Sequence, residues 1–410
     1  MTKICQPADS PLGETSRGHK TKMITTLAIS GYRSLRNVVL ELETLNVVTG
    51  ANGAGKSSLY RALRLLADIA HGNVVRALAL EGGFDSVLWA GPEQFSRAMK
   101  TGDQPIQGTV RRNVVALKLG FSTDDYGYAI DLGLPPRGNP PAPIMFDADP
   151  HIKAESLWVG QVLRQRNEIA SRKGPGVRLR GDDGSWNQVF TDLSPFDSMM
   201  TQASDPRDAV EILRLREAMR TWRFYDHFRT DRDAAARHPQ IGTYTPVMAG
   251  DGADLAAAMA TIIEIGAVDD LMSTVDDAFP GASVDVEKDR GYFEVVMKQR
   301  GLLRPLRAGE LSDGTLRYLL LATALLSPRP PSFMVLNEPE MSLHPELMPA
   351  LGRLIVKASE RSQVIVVSHA QDLVAAIESA GRANRITLEK TLGETQVVDG
   401  SSPPWEWPGR

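Results

Sequence analysis

The chain has 410 residues, enough for a large buried core and two or three domains, and its 42 % hydrophobic content is that of an ordinary globular protein. A net charge of −4 excludes a global basic field for nucleic acid, so any such site must be a local patch. The single cysteine, Cys5, excludes an intrachain disulfide and a multi-cysteine metal site; no apolar run approaches the roughly 18 residues of a membrane span, and no apolar leader opens the chain, so the reading is cytoplasmic.

Residues 1–22 are polar and turn-rich and read as a flexible tail, with the patterned sequence beginning at Met23. Apolar residues then predict three strands: Leu27 and Ile29, then Val38, Leu40 and Leu42, then Leu45, Val47 and Val48. The third runs into Gly50-Ala51-Asn52-Gly53-Ala54-Gly55-Lys56-Ser57-Ser58, followed by a helical spacing of Leu59, Leu63, Leu66 and Ala70 that stops at Gly72. A strand, a glycine-rich turn and a helix start are what a phosphate-binding loop requires. Glycines let several backbone N–H groups face one anion, and the helix N-terminus adds partial positive charge. Lys56 would reach the β- and γ-phosphates, and Ser57 would offer its hydroxyl to Mg²⁺.

Residues 113–134 alternate as an antiparallel hairpin, and a proline-rich break follows over residues 134–143. Residues 151–204 carry Arg164, Arg166, Arg172, Lys173, Arg178 and Arg180 near glycines and read as surface loops with short strands. Asp205 and Pro206 predict a helix start, with Ile212, Leu215, Met219 and Trp222 as its buried stripe. Arg216, Arg220 and Arg223 form a second stripe, read as a solvated face because Glu211, Glu217 and Asp226 dilute its charge, with a phosphate-backbone contact helped by Trp222, Phe224 and Tyr225 as the alternative reading. A helix is predicted over residues 254–265 and a hairpin turned at Lys288-Asp289-Arg290-Gly291.

The last hundred residues hold a helix opened by Leu311-Ser312-Asp313-Gly314-Thr315 and a buried strand ending in Asn337-Glu338-Pro339-Glu340. Ser342-Leu343-His344-Pro345 and a further helix follow, then a second strand ending at Ser368-His369. Ligands of open parallel sheets sit beyond the carboxyl ends of the strands, so Glu338 and His369 are expected to converge on the loop at Lys56.

These motifs, in this order, resemble the ABC-type ATPase heads of the RecF, SMC and OLD group, and within it the AAA family ATPases built as stand-alone heads. The loop at residues 50–57 is similar to a Walker A, Leu311 to Thr315 to the signature, the strand ending in Glu338 to a Walker B, His369 to the switch histidine, and Ser342-Leu343-His344-Pro345 to the D-loop. Gly31-Tyr32-Arg33-Ser34-Leu35 resembles the opening segment of the same group.

The resemblance implies an α/β P-loop NTPase head with a mostly parallel core sheet, an antiparallel β subdomain and a helical inserted lobe. It divides residues 23–400 into a Walker A and antiparallel part (23–150), an inserted mixed lobe (151–283) and a signature and Walker B part (284–400), with 401–410 as a tail. ATP and Mg²⁺ are the implied cofactors. Gly50, Asn52, Gly53, Gly55, Lys56, Ser57, Ser58 and Arg33 would hold the nucleotide from one chain, and Ser312 and Gly314 would complete it from a second. Glu338 would orient the attacking water, His369 would report the γ-phosphate, and Ser57 and, through water, Asn337 would face the metal.

The implied partners are a second copy through the ATP sites, DNA, and a separate nuclease or effector protein, with no membrane partner. The activity implied is slow ATP hydrolysis serving DNA repair or phage defence; the alternative is a non-enzymatic ATP-dependent switch or scaffold. Asn337 departs from the Asp usual at its position, which removes a negative charge near the metal. Glu340 is a candidate substitute, and Asn337→Asp is expected to keep or raise hydrolysis. The glutamine that such heads place near the γ-phosphate stays open among Gln94, Gln104 and Gln107.

Overall fold

A computed structural model describes residues 23–108, 114–135, 145–398, 400 and 402–410. Residues 1–22, with Cys5, and most of the proline-rich break lie outside the described residues. The central feature is a six-stranded sheet in the order Arg223–Tyr225, Phe333–Asn337, Gln363–Val367, Leu45–Gly50, Asn384–Thr391, Glu394–Val398. The first five strands are parallel, and the last pairs antiparallel with its neighbour.

Alternation along these strands makes two cores. Val48, Val335, Ile365 and Val367 face the helix Lys56–Ala70 and the antiparallel sheet; Val47, Met334, Leu336, Val364 and Val366 face the helices Leu255–Ile265, Asp313–Leu325, Met348–Ser359 and Gln371–Ala380. Near-continuous burial along Leu45–Gly50 and Gln363–Val367 is what a parallel strand covered on both faces demands. The fold class is therefore the α/β P-loop head expected, with a mostly parallel core and an antiparallel β sheet beside it.

The second sheet has eight strands, antiparallel throughout: Leu35–Glu41, Ile24–Tyr32, Leu117–Thr123, Tyr126–Gly133, His151–Val159, Glu168–Lys173, Gly176–Arg180 and Trp186–Phe190. The division expected at residue 150 falls inside this sheet, because Tyr126–Gly133 and His151–Val159 are paired in register. Residues 151–283 are not one inserted lobe. They supply four strands to this sheet, the edge strand Arg223–Tyr225 to the parallel sheet, and the helices Leu255–Ile265 and Val268–Ala278 to the far face. A third, smaller sheet holds the expected hairpin, Ser283–Asp289 and Tyr292–Lys298, turned by Arg290 and Gly291, both at positive φ.

Three further expectations change. Arg172 is not a surface arginine but fully buried, paired with Glu155 at 3.0 Å. The helix expected from Asp205 begins at Val210: Asp205 instead closes a preceding turn, accepting from the N–H groups of Arg207 and Asp208 at 2.7 and 3.2 Å. Residues 402–410 are not a loose tail. Trp405 packs edge-on against Trp158, and Arg410 binds Asp131 through two contacts of 2.7 Å. Asp131 is wholly buried, and a buried carboxylate needs such a cation.

Candidate nucleotide site

Three neighbouring parallel strands deliver the site. Val48, Val367 and Asn337 lie side by side in register, so the loop after Gly50, the Ser368-His369 segment and Glu338 leave the sheet at the same end. Two backbone bonds continue the alignment past the strands: Glu338 N donates to Val367 O at 2.8 Å, and Ser368 N to Val48 O at 3.1 Å. Sequence reasoning placed these residues together, and the register does so.

At the loop, Gly55 caps the helix Lys56–Ala70 with φ 111°. A Cβ there would stand 2.2 Å from Thr395 Oγ1, so the position needs glycine both for its dihedral and for space. Thr395 itself lies 2.7 Å from Ala54 O and 2.8 Å from Ser34 Oγ, and its N–H donates to Ser34 O at 2.8 Å. It ties the phosphate loop to the turn at Arg33 and Ser34, and no local sequence signal marks it. Replacing Thr395 with Val removes the hydroxyl but keeps the shape, and leaves the Ala54 carbonyl short of a partner. The expected result is a loss of about 1–3 kcal/mol of unfolding free energy, measured by urea titration, together with weaker nucleotide binding.

The Lys56 ammonium is buried among the loop's own carbonyls, donating to Gly50 O at 2.6 Å and Ala51 O at 3.2 Å. Asn52, Gly53 and Ser57 are exposed, and Ser58 is half-buried. Arg33 lies at the turn with φ 48°, but its guanidinium is on Glu81 at 2.9 Å.

Glu338 holds a left-handed φ of 47°, a conformation that costs a non-glycine residue on the order of 1–3 kcal/mol and that clusters at functional sites. Its Oε1 is 3.5 Å from Nδ1 of His369, which is half-exposed. Glu340 is buried and ties down the Ser368-His369 segment: its Oε1 accepts from Ser368 Oγ at 2.6 Å and from the N–H groups of His369 and Ala370 at 3.3 and 3.4 Å. Its Oε2 is buried without a partner.

Asn337 donates through Nδ2 to Asp226 Oδ1 at 2.7 Å, while its own Oδ1 is buried without a partner. Asp226 follows the short edge strand Arg223–Tyr225, which is why the sequence counted it only as a diluting charge. Gln94, Gln104 and Gln107 belong to no strand or helix.

The helix opened by Leu311-Ser312-Asp313-Gly314-Thr315 lies on the other face of the sheet. Ser312 caps the helix Asp313–Leu325, its Oγ accepting from Thr315 N at 3.2 Å. A Cβ on Gly314 would stand 3.2 Å from the carbonyl of Ser342 in the D-loop-like segment. Arg237 holds the segment in place, donating to Leu311 O at 2.7 Å and to Asp313 Oδ1 at 2.6 Å. Arg317, buried in the same helix, reaches within 3.5 Å of the carbonyls of Asp226 and Glu338. Burial pulls its pKa down, and the carboxylates of Asp226 and Glu340 oppose that shift.

Of the basic stripe, Arg216 and Arg220 lie on the helix Val210–Arg220 and contact Glu217 at 3.0 and 3.2 Å, while Arg223 belongs to the edge strand. No helix of the described residues is long and apolar enough to cross a membrane.

Among solved structures, the chain is similar to an Smc head bound to the C-winged helix domain of ScpA, at 15 % identity over 92 % of this chain and 97 % of that one, TM-score 0.49. It is also similar to an Smc head bound to the C-terminal domain of ScpA, derived from Pyrococcus furiosus, at 14 % identity over 92 % and 95 %, TM-score 0.46. A third is the SMC head domain from Thermotoga maritima, at 13 % identity over 92 % and 98 %, TM-score 0.40. No curated protein matches. Residues 45–375 match the family model described as "AAA domain, putative AbiEii toxin, Type IV TA system". That span contains the phosphate loop, the signature helix, Glu338 and His369, and the chain belongs to this family of AAA domains.

Proposed function

We propose that this AAA domain binds ATP at Lys56, closes on a second copy of itself around the nucleotide, and hydrolyses it slowly in the service of a DNA- or partner-directed task of the repair or phage-defence type. The observation that carries the reading is the sheet between the two anion cradles. The helix Lys56–Ala70 packs on one face of it and the helix Asp313–Leu325 on the other. The two helix N-termini thus lie on opposite sides of one sheet, an arrangement that a two-fold partner would complete by bringing its Ser312 and Gly314 to this chain's Lys56.

In this reading Lys56 and the N–H groups of the loop grip the phosphates. Glu338 orients the attacking water, and His369 beside it senses the γ-phosphate. Mg²⁺ fits the oxygens present: Asn337 Oδ1 and Glu340 Oε2 are buried without partners, and no cluster of three metal-binding side chains occurs among the described residues. A cation that keeps its waters and leans on phosphates needs only one or two protein oxygens. Ser57 and Asn337 are the residues that would hold it, and it would supply charge neutralisation at the β- and γ-phosphate oxygens.

Steady-state hydrolysis and light scattering test this on the purified protein. ATP is expected to convert monomer to dimer in the wild type and not in Lys56→Ala. Hydrolysis no faster than the Lys56→Ala background would sink the enzyme reading and leave the ATP-dependent scaffold, the alternative that the neutral Asn337 favours.

A further inference from the structure

We infer that Asp226 supplies the metal-facing negative charge that Asn337 lacks, so that the acid of this site has moved one strand over. The inference rests on the Mg²⁺-nucleotide reading above.

Tyr225 pairs with Leu336 in the parallel ladder, which puts Asp226 and Asn337 at matching positions just beyond it. Neighbouring strands are about 4.8 Å apart, so a carboxylate shifted by one strand still serves a water-mediated contact to the same ion. The Nδ2–Oδ1 hydrogen bond of 2.7 Å fixes the amide's orientation: the donor is spent on Asp226, and the acceptor Oδ1 is the atom left over, buried and unpartnered. An amide turned this way and a neighbouring carboxylate together present the oxygens a hard cation takes.

Glu340, the substitute expected from sequence, has one oxygen committed to Ser368 and the N–H groups of His369 and Ala370, which leaves only its Oε2 open. Arg317 stands behind the pair: its guanidinium touches the carbonyl of Asp226, and the Asp226 carboxylate acts on it through space rather than as a contact ion pair.

The geometry also changes what Asn337→Asp does. Alone, that substitution removes the Nδ2 donor and sets two carboxylates against each other at hydrogen-bond distance, where like charges repel. Asn337→Asp is therefore expected to weaken Mg²⁺-nucleotide binding unless Asp226 becomes Asn at the same time, which restores one donor and one charge.

The test is calorimetric binding of ADP with Mg²⁺ and with EDTA to wild type, Asp226→Asn, Asn337→Asp and the exchanged double variant. Asp226→Asn is expected to cut the Mg²⁺-dependent gain in affinity by about tenfold, a fraction of what a full charge at ~4 Å would exert once a water intervenes. Binding in EDTA is expected to stay within about twofold of wild type, and the double variant to recover most of the lost gain. An unchanged Mg²⁺ gain in Asp226→Asn overturns the inference, as does a double variant no better than the worse single. If Asp226 merely counterbalanced Arg317, Asp226→Asn would weaken binding equally in Mg²⁺ and EDTA, which also overturns it. Wild type that binds no ADP in either condition removes the nucleotide reading itself, and this inference with it.

Discussion

Glu338→Gln is expected to lower ATP turnover by roughly 10²–10⁴-fold while leaving ATP binding intact. The side chain emerges from a backbone held at φ 47°, anchored by its N–H on Val367 O and followed by Met341 N donating to its carbonyl at 3.1 Å. Gln keeps the length and one acceptor oxygen, so the fold and the loop at Lys56 are expected to stay as they are. It loses the charge that takes or orients a proton. A catalytic block with binding preserved traps the ATP-bound state, so this variant should also persist as a dimer on light scattering after ATP is added. Rapid-quench hydrolysis against wild type reads the first effect; turnover within about threefold of wild type would remove Glu338 from the catalytic role.

Arg172→Met is expected to destabilise the protein by about 3–5 kcal/mol, the typical result of stranding one partner of a buried ion pair. Arg172 and Glu155 are both wholly enclosed. Arg172 donates to Glu155 Oε2 at 3.0 Å, to Gly174 O at 2.8 Å and to Ser194 O at 2.7 Å, and also to Asp197 O. Glu155 in turn accepts from Tyr128 at 2.6 Å, from Met199 N at 2.9 Å and from Ser198. The network pins the segment around residues 194–199 to the eight-stranded sheet. Burial, with the Glu155 charge beside it, drives the Tyr128 hydroxyl pKa well above its ordinary value, so Tyr128 remains a donor at any working pH.

Methionine fills much of the arginine's volume, so the loss comes from the uncompensated charge rather than a cavity. Adding Glu155→Gln to Arg172→Met removes that charge and should recover part of the loss. Urea midpoints of the two variants and wild type measure this; an Arg172→Met midpoint equal to wild type would show that the pair contributes nothing.

Local pattern and global pairing divide the molecule between them. The loop from Gly50 to Ser58, the helix stop at Gly72, the hairpin at Arg290 and Gly291, the cap at Ser312 and the buried strands before Glu338 and His369 were all legible, because each is set by neighbours in the chain. That the loop after Gly50, Glu338 and the Ser368-His369 segment leave the sheet at one end was legible too, since strand ends in a parallel sheet share one side.

The missed features depend on contacts far apart in sequence. Arg223–Tyr225 is a strand only because Phe333–Asn337 lies beside it; three residues carry no period of their own. Once it is placed, Asp226 stops being a diluting charge on an arginine stripe and becomes the neighbour of Asn337. Arg172 looked like solvent-facing charge because burial of an arginine is decided by Glu155, 17 residues away. Thr395 and Arg410 meet partners more than 200 residues earlier, and nothing local marks either.

The sequence by itself determined the phosphate loop, its helix and the order of the motifs, because short-range sterics and periodicity suffice for those. Only the tertiary structure decided which charges are buried and paired, and that the helices Lys56–Ala70 and Asp313–Leu325 pack on opposite faces of one sheet. Burial and strand adjacency are properties of the whole packed chain, and no window of sequence contains them.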